Sequence, residues 1–133
     1  MTAFAKEFAA LERLADGLLL ISETDAPLVP FVWPQPLPWS PGALLAAAGQ
    51  PADTPLEVVA AGDFFARLGA TRPGQTPEER ASARRFRRLA AWLEAHLADV
   101  QVYRVGAIAI ETTIAGRHPQ GRIVGLTTRQ VET

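Results

Sequence analysis

Regular hydrophobic spacing predicts the first helix of this chain, and capping residues predict the second. Four hydrophobic side chains recur every three or four residues near its start: Phe4, Phe8, Leu11 and Leu14. Gly17 follows as a residue suited to a left-handed helix stop, so residues 3–16 are predicted to form an amphipathic helix. A shorter helix is expected over residues 41–48, because Ser40 is a favourable N-cap and Gly49 a favourable stop.

The best-marked helix begins at residue 77. Thr76 is a candidate N-cap, proline follows at the first helical position, and Glu79 is placed to close a capping box. Apolar side chains then continue at helical spacing: Phe86, Leu89, Leu93 and Leu97. A shorter helical segment is predicted just before it, from about Gly62 to Gly69.

Runs rich in β-branched and aromatic residues predict the strands. They cover four segments: residues 28–33, 56–60, 102–115 and 122–131. Pro30 lacks a backbone donor and places the first strand at a sheet edge or a bulge. A turn-rich stretch at 116–121 predicts a hairpin connection between the last two strands, and residues 34–38 form a proline-rich connection. Residues 18–21 continue the first apolar signal, and a polar turn at 22–25 ends it.

This order of elements predicts an α/β (α+β) fold. Helices on both faces of one mixed sheet would give a three-layer α/β/α sandwich. No internal repeat or linker divides the sequence, so we expect a single domain over residues 1–133.

Composition narrows the class of protein. The 48% hydrophobic content is typical of a globular domain, and the absence of cysteine excludes disulfides and thiolate metal sites. The first residues do not have the pattern of a signal peptide, and the longest apolar run is too short to cross a membrane. We therefore expect a soluble, cytoplasmic protein.

Charge is unevenly distributed along the chain. Residues 1–70 carry a net charge of −5 and residues 71–133 a net charge of +4. This asymmetry fits an acidic face for a basic partner, a basic face for nucleic acid, or two halves that neutralise each other, which is the commoner case. Five arginines lie on the long helix, at positions 80, 84, 85, 87 and 88. Few aromatic residues lie among them for base stacking, so a solvated helix face is favoured over a nucleic-acid site.

Residues typical of catalysis do not form a recognisable pattern. His96 and His118 are the only histidines, and neither has a second histidine or a cysteine at ligand spacing, so a metal site built from this chain alone is not expected. The serines fall in a turn, a cap and a helix, and no glycine elbow surrounds any of them: Ser22, Ser40 and Ser82. The sequence predicts a protein that is not an enzyme.

Two acidic segments are candidates for binding. Glu23 and Asp25 lie two apart in a turn, where they suit an acidic finger that imitates a phosphate, or a turn whose side chains bond their own backbone. The last strand is expected to run to Thr133, next to Glu132, so that hydroxyl and carboxylate oxygens lie together. Such oxygens suit a divalent cation or a cationic pocket, whereas the alternative is a frayed terminus. Spacing alone favours the turn and the frayed end.

Read in order, these segments resemble the nuclease A inhibitor family over nearly the whole chain. The matching stretches are Asp16-Gly17-Leu18-Leu19, Ser22-Glu23, Pro27, Phe31-Val32-Trp33, Val58-Val59, Phe64-Phe65, Arg67, residues 101–106, Gly116, Pro119, Gly121, Gly125, Thr127 and residues 131–133. The resemblance implies a sandwich of the pathogenesis-related-protein type without enzymatic activity. It also implies a protein that blocks magnesium-dependent, sugar-nonspecific DNA/RNA endonucleases.

The resemblance also implies how the partner is bound. Thr133 would enter the nuclease cleft and complete the coordination of the partner's magnesium ion, with Glu23 as a second contact. The full set of expected contact residues is Glu23, Thr24, Arg72, Gln75, Glu132 and Thr133. The chain would be a monomer that forms a 1:1 complex, with no cofactor of its own and no direct contact with nucleic acid or membrane.

One segment departs from the family pattern. The loop before the long helix tends to carry bulky or aromatic residues in the family, and here residues 71–75 have none. Aromatic anchors often dominate interface energies. A second hypothesis is therefore an interaction domain of the same fold with a partner that is not a nuclease.

Overall fold

The computed structural model describes residues 2–34 and 38–132. Thr133 lies outside the described residues, as does the middle of the predicted 34–38 connection. The described helices are α1 (Ala3–Ala15), α2 (Pro41–Ala47), α3 (Ala61–Leu68) and α4 (Pro77–His96). The described strands are β1 (Leu19–Ile21), β2 (Asp25–Pro27), β3 (Val29–Val32), β4 (Leu56–Ala60), β5 (Ala98–Val105), β6 (Ala109–Arg117) and β7 (Ile123–Val131). The predicted α+β class and all four predicted helices are confirmed.

Local capping chemistry fixes where the helices start. The hydroxyls of Thr2, Ser40 and Thr76 accept backbone N–H donors at the first turns of α1, α2 and α4. At α4 the capping box is complete, because the Glu79 carboxylate also accepts the backbone N–H of Thr76 at 2.9 Å. None of the described helices combines the length and the apolar character needed to span a membrane.

The main sheet has the strand order β3-β7-β6-β5-β4, and every neighbouring pair in it is antiparallel. The expectation of a mixed sheet was therefore wrong. The chain passes through two helices, α3 and α4, between β4 and β5, whereas a single crossover helix typically joins parallel strands. It therefore enters β5 at the end where β4 finished and runs back beside it. Pro30 lies in β3, an edge strand, as predicted.

Two strand predictions need correction. Residues 18–25 were expected to be an apolar run and a turn, whereas residues 19–27 form a separate two-stranded hairpin of β1 and β2. The single strand predicted for 102–115 is divided between β5 and β6 by a turn. Gly106 allows that turn, because its φ is +111° and a Cβ there would lie 2.5 Å from the carbonyl oxygen of Ala109.

Apolar clusters lie on both faces of the main sheet. Neighbouring strand residues point to opposite faces, and accordingly Val102 belongs to one cluster and Tyr103 to the other. The first cluster contains residues of α1, α3 and α4, and the second contains Leu44 and Leu45 of α2. The three-layer description and the likeness to pathogenesis-related proteins stay predictions.

Three of the α4 arginines bind backbone carbonyl groups rather than facing solvent alone. Arg85 donates to the carbonyl oxygens of Leu14 and Asp16 at 3.0 and 2.6 Å, at the end of α1. Arg87 and Arg80 each donate to a carbonyl oxygen at 2.6 Å, in Gly69 and Gln75 respectively. These contacts satisfy carbonyls that helix ends and loops leave open, which gives the arginines a structural role.

The two histidines also have structural contacts. His118 is buried, and its Nε2 lies 2.6 Å from a Glu7 carboxylate oxygen while its Nδ1 accepts the backbone N–H of Gln120 at 3.2 Å. This pair joins the β6–β7 hairpin to α1, at the end of the sheet opposite the end of β7. His96 stacks on Trp92 one turn earlier in α4, with ring centroids 4.4 Å apart.

Candidate partner-binding site

The end of β7 is held by hydrogen bonds from both sides. On one side the backbone N–H of Val131 donates to the Ser22 hydroxyl at 3.0 Å, and its carbonyl accepts the N–H of Glu23 at 3.4 Å. On the other side the N–H of Glu132 donates to the carbonyl oxygen of Ile108 at 2.9 Å. Consecutive residues of a strand bond in opposite directions, so these contacts continue the sheet pattern to the last described residue. We call residues 131–132 the tail.

The acidic β1–β2 turn is tied to this tail by one hydroxyl group. The Ser22 hydroxyl donates to the carbonyl oxygen of Thr24 at 3.0 Å while it accepts the N–H of Val131. A turn that bonds its own backbone, one of the two interpretations of this segment, is therefore present. The side chains of Glu23, Thr24 and Asp25 are exposed on the same turn. Binding of a partner by Glu23 and Thr24 stays a prediction.

A groove of about 470 Å³ brings the two acidic segments together. Glu23 and Glu132 both line it, and Arg67 of α3 is the one cation among its described lining residues. Its apolar lining comes from β1, α3 and the tail: Leu20, Ile21, Phe64, Leu68 and Val131. The groove thus combines an apolar floor with carboxylates from segments more than 100 residues apart in the sequence.

Arg104 of β5 contacts the tail through the Glu132 side chain, a role that was not predicted from the sequence. The guanidinium of Arg104 donates to the Glu132 carboxylate at 2.5 Å and to the Glu57 carboxylate at 3.4 Å. Its Nε also donates to the Gln130 side chain at 3.3 Å. Strand alternation gave one signal for it, because Arg104 falls on the same sheet face as the buried Val102. Its partners could not be predicted, since they come from two segments, β4 and the end of β7, that are far from Arg104 in the sequence.

The loop before α4 is braced by its own side chain. The Gln75 carboxamide oxygen accepts the N–H of Arg72 at 3.0 Å, and its nitrogen donates to the carbonyl oxygen of Ala70 at 3.1 Å. The Arg72 side chain is exposed. The loop follows α3, whose last turn lines the groove through Arg67 and Leu68. Both residues therefore lie in a segment next to the groove, but Gln75 already uses its amide within the loop.

Two exposed apolar side chains flank the tail. Ile21 and Ile108 are 69% and 60% exposed, which are the highest values for large hydrophobic side chains among residues 2–34 and 38–132. Ile21 precedes the Ser22 that bonds the tail on one side, and Ile108 bonds it on the other. Ile21 ends β1 and Ile108 lies in the β5–β6 turn, so exposed apolar surface is present on both sides of the tail.

The described part of the chain holds no group of three or more His, Cys, Asp or Glu side chains arranged to bind a metal ion. Glu23 and Glu132 both line the groove.

Comparison with known proteins identifies the relatives of this chain. A family model described as nuclease A inhibitor-like protein matches residues 6–133. None of the curated proteins matches the chain. Because the family match covers nearly every residue, this chain belongs to the nuclease A inhibitor-like family.

Proposed function

We propose that this protein inhibits a magnesium-dependent, sugar-nonspecific endonuclease by placing residues 131–133 in the active-site cleft. The observation that carries the proposal is the hydrogen-bonded connection between the acidic β1–β2 turn and the tail. It joins Glu23 and Glu132 into one end of the molecule, around one groove. Family membership supports a nuclease as the class of partner.

Metal chemistry explains why a tail of this kind would block catalysis. Magnesium prefers six oxygen ligands and usually keeps several waters, so an entering hydroxyl or carboxylate can replace a water or a substrate phosphate. In the proposed complex Thr133 supplies that oxygen to the partner's magnesium ion. The inhibitor contributes no catalytic group and no cofactor of its own.

Electrostatics supports the acidic contacts. A cleft that binds a polyanionic substrate is positive, so the exposed carboxylate of Glu23 gains attraction and faster association. Thr24 adds a hydroxyl on the same turn, and Glu132 adds a second carboxylate at the groove. A monomeric inhibitor in a 1:1 complex would bury about 800 Å² on each partner, which this end of the sheet and its flanking turns would share.

Arg72 and Gln75 take a lesser part in this proposal. Gln75 spends its side chain on the loop itself, and Arg72 would bring a cation towards a positive partner. We therefore place both at the edge of the contact, where charged pairs contribute little.

A second candidate is an interaction domain with a partner that is not a nuclease. The observation that favours it is the same loop, which has no bulky anchor and is braced internally. A magnesium-dependent nonspecific nuclease encoded in the same genome would favour the first candidate, and binding to a partner without such activity would favour the second.

The test is inhibition of purified magnesium-dependent nonspecific nucleases by the full chain and by a chain that lacks residues 131–133. We expect the full chain to inhibit and the shortened chain to lose most of that inhibition while its melting temperature stays close to the original. Equal inhibition by both chains would contradict the tail mechanism. Failure of the full chain against every such nuclease would favour the second candidate.

A further inference from the structure

Arg104 is a mostly buried cation whose carboxylate partners are exposed. Its side chain is only 17% exposed, whereas its two carboxylate partners, Glu57 and Glu132, are 62% and 53% exposed. A charged group this well covered requires fixed partners, because burial without them is costly. Arg104 has three, and the one at 2.5 Å belongs to the tail.

The sheet itself holds the guanidinium in place. In the strand register Arg104 lies opposite Glu57 of β4 on one side and Thr112 of β6 on the other. The fully buried Thr112 donates its hydroxyl to the Gln130 side-chain oxygen at 2.9 Å, and that oxygen also accepts from Arg104. The guanidinium is thus fixed by side chains from β4 and β7 before it meets Glu132.

Arg104 holds the Glu132 side chain, which the backbone hydrogen bonds of the tail do not fix. The N–H of Glu132 is bonded to Ile108, which leaves its side chain free to rotate unless something holds it. Arg104 binds one carboxylate oxygen from the interior side of the sheet. The same contact neutralises the negative charge of Glu132, and the Glu57 carboxylate is the more distant acidic partner of the guanidinium, at 3.4 Å.

We infer that Arg104 is a positioning residue, which holds the Glu132 side chain and thereby orders the end of the tail. Glu132 then acts mainly inside the inhibitor, and Glu23 is the acidic side chain that faces the partner. This inference rests on the proposed function for its effect on inhibition, but the ordering of the tail is a property of the free protein.

The free protein offers the first test. Amide hydrogen exchange at Glu132 should become roughly tenfold faster or more in Arg104→Gln and in Glu132→Gln, as expected from loss of a charge-assisted hydrogen bond. Exchange at Ile114, in the centre of β6, should not change in Glu132→Gln, which separates local release from global unfolding. Unchanged exchange at Glu132 in both variants would overturn the inference whether or not the protein inhibits a nuclease.

Inhibition of the nuclease offers the second test. Arg104→Gln and Glu132→Gln should each weaken inhibition by roughly tenfold or more, and the double variant should be no weaker than Arg104→Gln alone. Arg104→Lys should recover part of the loss, because lysine keeps the charge but cannot bind Gln130 and Glu132 in the same fork. Additive losses in the double variant would overturn the inference and make Glu132 a direct partner contact.

A matched control lies on β7, three residues before Glu132. Arg129→Gln removes an ion pair with Glu111 in which both side chains are well exposed, at 73% and 40%. It should change inhibition by less than about twofold, because exposed pairs contribute little. Lack of inhibition by the unaltered protein would contradict the proposed function, while the exchange measurement would still decide the role of Arg104.

Discussion

At the scale of single residues, Glu23 is the side chain on which the proposed contact depends most. It is exposed on the turn that is bonded to Val131, and it lines the groove beside the tail. Glu23→Gln should weaken nuclease inhibition by about 2–5 kcal/mol, as is typical when one partner of a desolvated charge pair is lost. Inhibition constants at two salt concentrations are the measurement.

Asp25 provides the control for that variant. It is an exposed acid two residues further along the same hairpin, and it does not line the groove. Asp25→Asn should leave inhibition nearly unchanged. Equal losses for both substitutions would mean that only the overall negative charge of the turn matters.

The sequence indicated only some residues of the candidate site. Glu23 and Glu132 were proposed because acidic residues in a turn and a tail are chemically conspicuous, and their contact with a partner stays a prediction. Arg104 and Ser22 were missed in their structural roles, because each acts through atoms that lie more than 25 residues away in the chain. Hydrogen bonds of that kind depend on strand register, which hydrophobic periodicity does not fix.

At the scale of elements, the capping box of α4 links the loop beside the groove to the long helix. Thr76→Ala removes the hydroxyl that accepts the N–H of Glu79 at 3.1 Å. We expect the free energy of unfolding to fall by about 0.5–2 kcal/mol, the usual cost of losing an N-cap side chain. Chemical denaturation of the two proteins measures the difference, and an unchanged midpoint would contradict this role.

The capping box of α4 predicts that the free energy of unfolding depends on pH through Glu79. The backbone N–H of Thr76, followed by its hydroxyl, lowers the pKa of Glu79 below the ordinary value for glutamate. The folded helix thus favours the carboxylate, so its stabilising effect is complete at neutral pH and is lost as the pH falls through the lowered pKa. The stability difference between the original protein and Glu79→Gln should therefore shrink on acidification. Glu78→Gln, in the same first turn but outside the box, should show no comparable narrowing.

Elements with strong local signals were predicted well. Residues 56–60 match β4, and the predicted start at residue 77 matches α4, because capping residues and turns mark both. The β1–β2 hairpin was missed because each strand has only three residues, too few for an alternating pattern. The turn at Gly106 was missed because alanine and isoleucine follow the glycine, and the β-rich pattern continues through it.

At the scale of the whole molecule, three of the five arginines of the long helix are bound within the fold. Arg80, Arg85 and Arg87 bind backbone carbonyls at the ends of α1 and α3 and in the adjoining loop. These carbonyl groups carry no net charge, so neutralisation between the acidic first half and the basic second half stays a prediction. The proposed partner surface lies at the end of the sheet, where β1–β2, the β5–β6 turn and the tail meet.

Exposed apolar residues beside the tail are expected to supply binding energy, because residues 71–75 include no bulky or aromatic side chain. Interfaces place apolar contacts around fixed polar groups, and Ile108 lies beside the tail with 60% of its surface exposed. Ile108→Ser should weaken inhibition by about 1 kcal/mol or more, with little effect on melting temperature. Val58→Ser is the control, since Val58 is 49% exposed on β4, three strands away from β7. Equal effects of the two substitutions would show that Ile108 has no special contact.

The central claim, that residues 131–133 enter the partner's active site, is tested most directly by extending each end of the chain. A short polar tag after Thr133 would have to occupy the space next to the metal. The same tag before Met1 would lie towards the opposite end of the sheet, where Phe4 and Glu7 contact His118. We predict that the tag after Thr133 abolishes most inhibition of a magnesium-dependent nonspecific nuclease and that the tag before Met1 leaves it intact. Full inhibition by the protein tagged after Thr133 would contradict the account.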